Sequence, residues 1–166
     1  MTSDDAIPSL LLPLTGLDLM LPNAAVAEIV PYAVSTLVPH APPWCHGLMQ
    51  WRARMLPVVD VQAIEQPGEA TEPPRARVAV LNRTDDSPTQ GPYGVALSGA
   101  PRLVHVTREE LKLDESQGAP GMTIRAHWRQ SPVAIPDLDQ LQALLREAGL
   151  SRFLLAANRP TGTAPH

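Results

Sequence analysis

The residues best suited to chemistry lie in one stretch: His40, Cys45 and His46, with Asp60 a short distance on. A thiolate and two imidazoles can hold zinc, or pair as nucleophile and base with Asp60 in the same pocket. A small all-β enzyme or metal site is therefore one reading of the chain. Against it, side chains 45 and 46 diverge in an extended segment, no CxxC or second ligand pair accompanies them, and a cysteine beside Trp44 reads as a small buried apolar residue. Asp60 has no second carboxylate at a defined spacing for acid/base work and reads as a strand-end or turn residue. Phosphate-cradling loops are missing: neither GxGxxG nor GxxxxGK(S/T) occurs, and Lys112 is the only lysine. Trp44, Trp51 and Trp128 can stack on bases or sugars, but large aromatics serve first as packing anchors. The expectation is a chain without catalytic centre, metal or cofactor.

The elements that would position these residues are short. Nineteen prolines are spread through 166 residues, against a usual share of about 5%, and they exclude long helices almost everywhere. Apolar runs at residues 10–14, 17–21, 56–61, 77–81, 93–97 and 103–106 predict strands of an all-β barrel or sandwich. Thr15-Gly16 predicts a hairpin turn between the first two, with Asp18 directed away from the core. Asn23 is placed to cap a short helix over 24–29, with Val26 and Ile29 on one face and Pro31 as its stop. Asp137 and Gln140 form a capping box ahead of a stripe of Leu138, Leu141, Leu144 and Leu145, ended by Gly149. Thr107-Arg108-Glu109-Glu110 fits one helical turn. Segments 65–74, 83–92 and 115–121 read as solvent-exposed loops, and 1–7 and 158–166 as flexible tails around a single unit over 8–150. No internal repeat is visible.

Composition narrows the partners. A hydrophobic share of 44% against 18% charged residues suits one globular domain. The formal charge of −4 leaves no cationic surface for a phosphate backbone, which argues against nucleic acid. No apolar run approaches the ~20 residues of a membrane span, and Asp4 and Asp5 stand where a signal peptide carries positive charge. Cytoplasmic residence without membrane insertion is expected, and a lone Cys45 is consistent with a reducing compartment.

The stretch 47–61, Gly-Leu-Met-Gln-Trp-Arg-Ala-Arg-Met-Leu-Pro-Val-Val-Asp-Val, is read as a strand entered by a bend at Gly47, a turn at Arg52-Ala53-Arg54 and a returning strand. It resembles the Gly-x-x-Asn-x-Arg-Gly-x-x-x-Pro-x-x-Asp-Leu signature of CheW-like domains, the adaptors that join bacterial chemoreceptors to the histidine kinase CheA. Gly47, Arg52, Pro57 and Asp60 match. Upstream, residues 10–22 and Val26-Ala27-Glu28-Ile29 resemble the family's opening hairpin and Val-x-Glu-Ile segment; downstream, 78–82, 93–97, 103–106 and 133–145 resemble its second barrel and closing helix. Gln50 stands for the usual Asn, Ala53 for the usual Gly, and Ser98-Gly99 where an acidic residue often precedes Gly. These departures suggest a specialised system such as type IV pilus chemosensing.

The resemblance implies two SH3-like five-stranded β-barrels sharing an apolar core. One barrel would engage the regulatory domain of a CheA-type kinase, and the groove between barrels the cytoplasmic tip of a methyl-accepting chemoreceptor, with other CheW-like proteins as further partners. By family position Val26 and Val78 become apolar anchors for a partner, while Glu28 and Arg52 become a bidentate pair that either shapes the groove and leaves donors for the partner or serves as a structural ion pair alone. A generic SH3-like peptide-binding module is the third reading, but three Trp, two Tyr and one Phe make a thin platform for proline-rich ligands.

Overall fold

The computed structural model describes residues 6–66, 68, 74–83, 91–114 and 123–150. In chain order these form β1 (Ile7–Leu14), β2 (Leu17–Pro22), β3 (Val26–Pro31), β4 (Val34–Thr36), β5 (Cys45–Trp51), β6 (Arg54–Val59), α1 (Val61–Glu65), β7 (Arg77–Leu81), β8 (Tyr93–Leu97), β9 (Arg102–Val106), β10 (Leu111–Leu113), β11 (Thr123–Trp128), β12 (Ser131–Pro136) and α2 (Leu138–Glu147). Single 3-10 turns cover Asn23–Ala25 and Arg108–Glu110. No helix among the described residues is long and apolar enough to cross a membrane.

The strands make two curled sheets, ordered β3-β7-β8-β6-β5-β4 and β10-β11-β12-β2-β1-β9. Each has six strands, one more than the expected five, because a three-residue edge strand (β4 or β10) is added. The edge strands of each sheet are neighbours in the chain, β3 with β4 and β9 with β10, so each sheet bends round into a barrel. All pairs are antiparallel except β6 with β8 and β12 with β2.

Read from β3 and from β9, the two orders coincide. Four consecutive strands (β3 to β6, or β9 to β12) join a hairpin (β7–β8, or β1–β2), and the hairpin that opens the chain completes the second barrel. The repeat is also written in residues. Trp51-Arg52 and Trp128-Arg129 each close a strand, and each tryptophan stands nine residues before an aspartate, Asp60 or Asp137, that caps a helix. The fold therefore contains an internal repeat that sequence reading does not find.

Three clusters of buried side chains explain why the apolar runs are continuous where a one-sided sheet would alternate. Leu11, Met20, Val106, Ala126, Trp128 and Val133 fill the second barrel, and Met49, Leu56, Val58, Val78, Val80 and Ala96 the first. The opposite faces of the same strands, with Leu12, Leu19 and Leu21 from one barrel and Leu81, Val95 and Leu97 from the other, form the shared core. Strand periodicity of two sends neighbours such as Leu11 and Leu12 to different clusters. The α2 stripe lies on the shared core through Leu141 and Leu145; Asp137 Oδ1 accepts from Gln140 N at 3.1 Å, and Gly149 follows with φ 72°.

Several expectations change. The helix over 24–29 is a 3-10 turn and then β3, because Val26, Ile29 and Val30 are β-branched and pair with β7. Val61 opens α1 and does not extend β6. β1 begins at Ile7, inside the segment read as a tail. Glu65 is a partly buried helix residue and not part of an exposed loop; most of 65–74, 83–92 and 115–121, and all of 158–166, lie outside the described residues.

Candidate functional site

The β5–β6 hairpin builds the first candidate. Trp51 pairs with Arg54, leaving Arg52-Ala53 as a two-residue turn. Arg52 takes φ 54°, a left-handed conformation that costs a residue with a side chain roughly 1–2 kcal/mol. Ala53 has no positive φ, so the family's glycine is not required there. The Arg52 guanidinium folds over its neighbour, with Cζ 4.3 Å from the centre of the Trp51 ring.

Glu28, on edge strand β3, completes the corner. Trp51 Nε1 donates to Glu28 Oε2 at 2.7 Å, while Arg52 Nη2 lies 3.7 Å from the same oxygen. The expected Arg52–Glu28 pair therefore exists, but it is not bidentate, because the indole N–H takes the acceptor and its ring holds the guanidinium. With side chains 67% and 45% exposed, the ion pair contributes only ~0–1 kcal/mol. The cation–π contact adds about 0.5–1 kcal/mol at such a site. The corner is weakly held for stability and leaves guanidinium donors free for a carboxylate from outside. Sequence reading missed Trp51; the recurrence of Trp-Arg at 128–129 was the signal available.

The other expected residues fall elsewhere. Val26 is half-buried at the start of β3, opposite Leu81, and packs against the shared core. Val78 is 0% exposed inside the first barrel and cannot serve as a surface anchor. Gly47 is not a bend ahead of a strand: it sits in β5 at a bulge, φ 131°, where a Cβ would lie 2.4 Å from the Thr36 carbonyl oxygen of β4. Pro57 is buried opposite Leu48, one residue before the parallel pairing of β6 with β8 begins at Val58. Asp60 caps α1, its Oδ1 accepting from Ala63 N at 3.2 Å.

The second barrel carries a twin corner. Arg129 has φ 49°, its Cζ lies 4.8 Å from the Trp128 ring centre, and its Nε donates to Glu110 Oε2 at 2.5 Å. That hydrogen bond holds the Glu110 carboxyl below its usual range, with Thr107 Oγ1 donating to the other oxygen at 3.0 Å.

Of the residues proposed for metal or catalysis, the structure brings only His46 and Asp60 together. His46 Nε2 lies 3.5 Å from Asp60 Oδ2, and Tyr32 Oη contacts His46 Nδ1 at 2.9 Å. Burial would raise the Asp60 carboxyl, but the His46 hydrogen bond and the Ala63 N–H outweigh it and hold the group below its usual range. His40 is exposed, and Cys45 packs half-buried against the shared core, where burial pushes its thiol up and away from the reactive thiolate. Among the described residues no three His, Cys, Asp or Glu side chains are grouped to share an ion.

Asp60 starts a strut between the barrels. Gln62 donates through Nε2 to the Thr15 carbonyl at 2.5 Å and accepts from Thr15 N at 2.9 Å. Glu65 pairs with Arg125 at 3.0 Å and accepts from Thr123 Oγ1. Five residues of α1, capped from the first barrel, thus grip both the β1–β2 turn and β11 of the second.

Two interlocked barrels, each with a Trp-Arg-Glu corner whose guanidinium is exposed, define the class of fold. The family described as CheW-like domain matches residues 8–145. The chain therefore belongs to the CheW-like family, a family of chemotaxis scaffolds. Among solved structures, the scaffolding protein TtCheW from Thermoanaerobacter tengcongensis aligns with TM-score 0.64 at 14% identity, covering 80% of this chain and 85% of that one. The comparison with curated proteins found no match.

Proposed function

We propose that this protein is a non-catalytic adaptor that couples chemoreceptors to a CheA-type histidine kinase, acting in the cytoplasm at receptor arrays. Membership of the CheW-like family carries this reading. The first barrel meets the kinase's regulatory domain, and the receptor tip enters the groove between barrels, with the unit over 8–150 acting as one body. The Glu28–Trp51–Arg52 corner supports it, since it holds a guanidinium with spare donors beside edge strand β3 through an exposed ion pair that contributes little to stability. Val26, Glu28 and Arg52 are the proposed contacts, and Gly47, Pro57 and Asp60 hold the hairpin and strut behind them.

Co-purification tests this. The full chain should retain a CheA-type regulatory domain and a chemoreceptor cytoplasmic fragment from the same source. Failure to retain either one, with the chain folded, refutes the reading.

A further inference from the structure

We propose that His46 is a proton-operated latch between the end of β3 and the inter-barrel helix α1, its charge deciding which of the two the ring holds more tightly. The ring is nearly enclosed, its side chain 8% exposed. Tyr32 faces it from the link after β3 and Asp60 from the β6–α1 junction. Arg75, from the approach to β7, brings its positive charge near the Tyr32 hydroxyl, and Cys45 precedes His46 on its own strand.

These partners suit the neutral ring and conflict over the charged one. With its proton on Nε2, neutral His46 donates to Asp60 and accepts at Nδ1 from the Tyr32 hydroxyl. In the imidazolium both nitrogens donate. The Asp60 contact becomes an ion pair and tightens. On the other side Nδ1–H meets the phenol oxygen, the phenol proton must turn away, and the imidazolium adds a second positive charge to that of Arg75 near one hydroxyl. Protonation therefore moves the ring's hold from Tyr32 to Asp60. Asp60 remains ionised through the histidine range, because its carboxyl is held below the usual carboxylate value.

Both ends of the latch reach further. Tyr32 N donates to the Ala76 carbonyl at 3.4 Å, continuing the β3–β7 ladder that carries Glu28. Asp60 caps α1, which grips the second barrel through Gln62 and Thr15. A bearing on docking rests on the function proposed above; the coupling itself does not.

The test is an NMR pH titration of the full chain without partners, following the His46 ring and the Thr15 amide. The expected result is a Thr15 shift with the same midpoint as His46, lost in His46→Gln while the remaining histidines titrate as before. A Thr15 amide that stays flat across the His46 titration, or still responds in His46→Gln, overturns the proposal. Tyr32→Phe keeps the ring packing and decides the matter should His46→Gln not fold. Loss of the phenolic donor should raise the His46 midpoint, and an unchanged or lower midpoint overturns the latch. None of these readings depends on whether kinase or receptor is retained in co-purification.

Discussion

The Trp51 indole N–H and the Glu28 carboxylate meet at 2.7 Å between β5 and edge strand β3, two strands that are not neighbours in their sheet. The bond fastens the barrel where the backbone ladder does not, and it fixes the surface on which Arg52 lies. Stability and docking geometry are separable here, because the contacts are exposed and individually small.

Trp51→Phe keeps a ring beneath Arg52 but removes the donor to Glu28. Loss of one charge-assisted hydrogen bond at a partly exposed site should cost about 1–2 kcal/mol in urea unfolding. Retention of a kinase regulatory domain should fall by a larger factor than in Glu28→Gln, which keeps an acceptor for the indole. Equal retention by both variants would show that the indole N–H does not set the corner.

Arg52 separates backbone cost from side-chain role. Arg52→Gly relieves a left-handed φ and should hold or raise the melting temperature, whereas Arg52→Ala keeps the strain and loses the cation–π contact. Both should weaken partner retention alike. Normal retention by folded Arg52→Gly would place the guanidinium outside the interface.

Much of this was legible in the residues, for identifiable reasons. Val78–Leu81, after Arg77, and Tyr93–Leu97 are apolar runs bounded by polar segments, and they form strands at the expected positions. The Asp137 cap and the leucine stripe after it are local signals, and α2 obeys them. What failed depends on distant chain. The alanines at 24–27 favour helix, yet pairing with β7 makes the segment a strand. Val78 looks like an anchor in a one-dimensional motif, but only the curl of the sheet shows that it points inward. The Trp-Arg repeat was hidden because its second copy draws its hairpin from the start of the chain. The Tyr32–His46–Asp60 contact joins residues from three segments, and no spacing rule links them.

Val78 can be tested as core. Val78→Ala removes two buried methyl groups and should destabilise by about 2 kcal/mol, from roughly 0.8 kcal/mol per buried carbon plus a cavity contribution. A Cβ at Gly94 would lie 2.4 Å from Val78 Cγ1. Gly94→Ala should therefore be destabilising alone and less so combined with Val78→Ala. Strict additivity in a double-mutant cycle would contradict this packing.

Acid should weaken the fold partly through Asp60. Its folded carboxyl lies below its unfolded value of about 3.9, so the unfolded chain binds the proton more readily. The stability Asp60 contributes is complete above the unfolded value and disappears as pH falls through the folded one. Glu110, also held low, adds a loss of the same sign from the second barrel, chiefly through Arg129. Asp60→Asn should be less stable than wild type at pH 7, because its amide is a poorer acceptor for the Ala63 N–H and for His46 Nε2. The difference should be constant well above the unfolded value of about 3.9 and shrink as pH falls below it through the lower folded one. Urea unfolding of both proteins across that range measures it, and a gap that stays constant would mean that the cap acts through shape and not through charge.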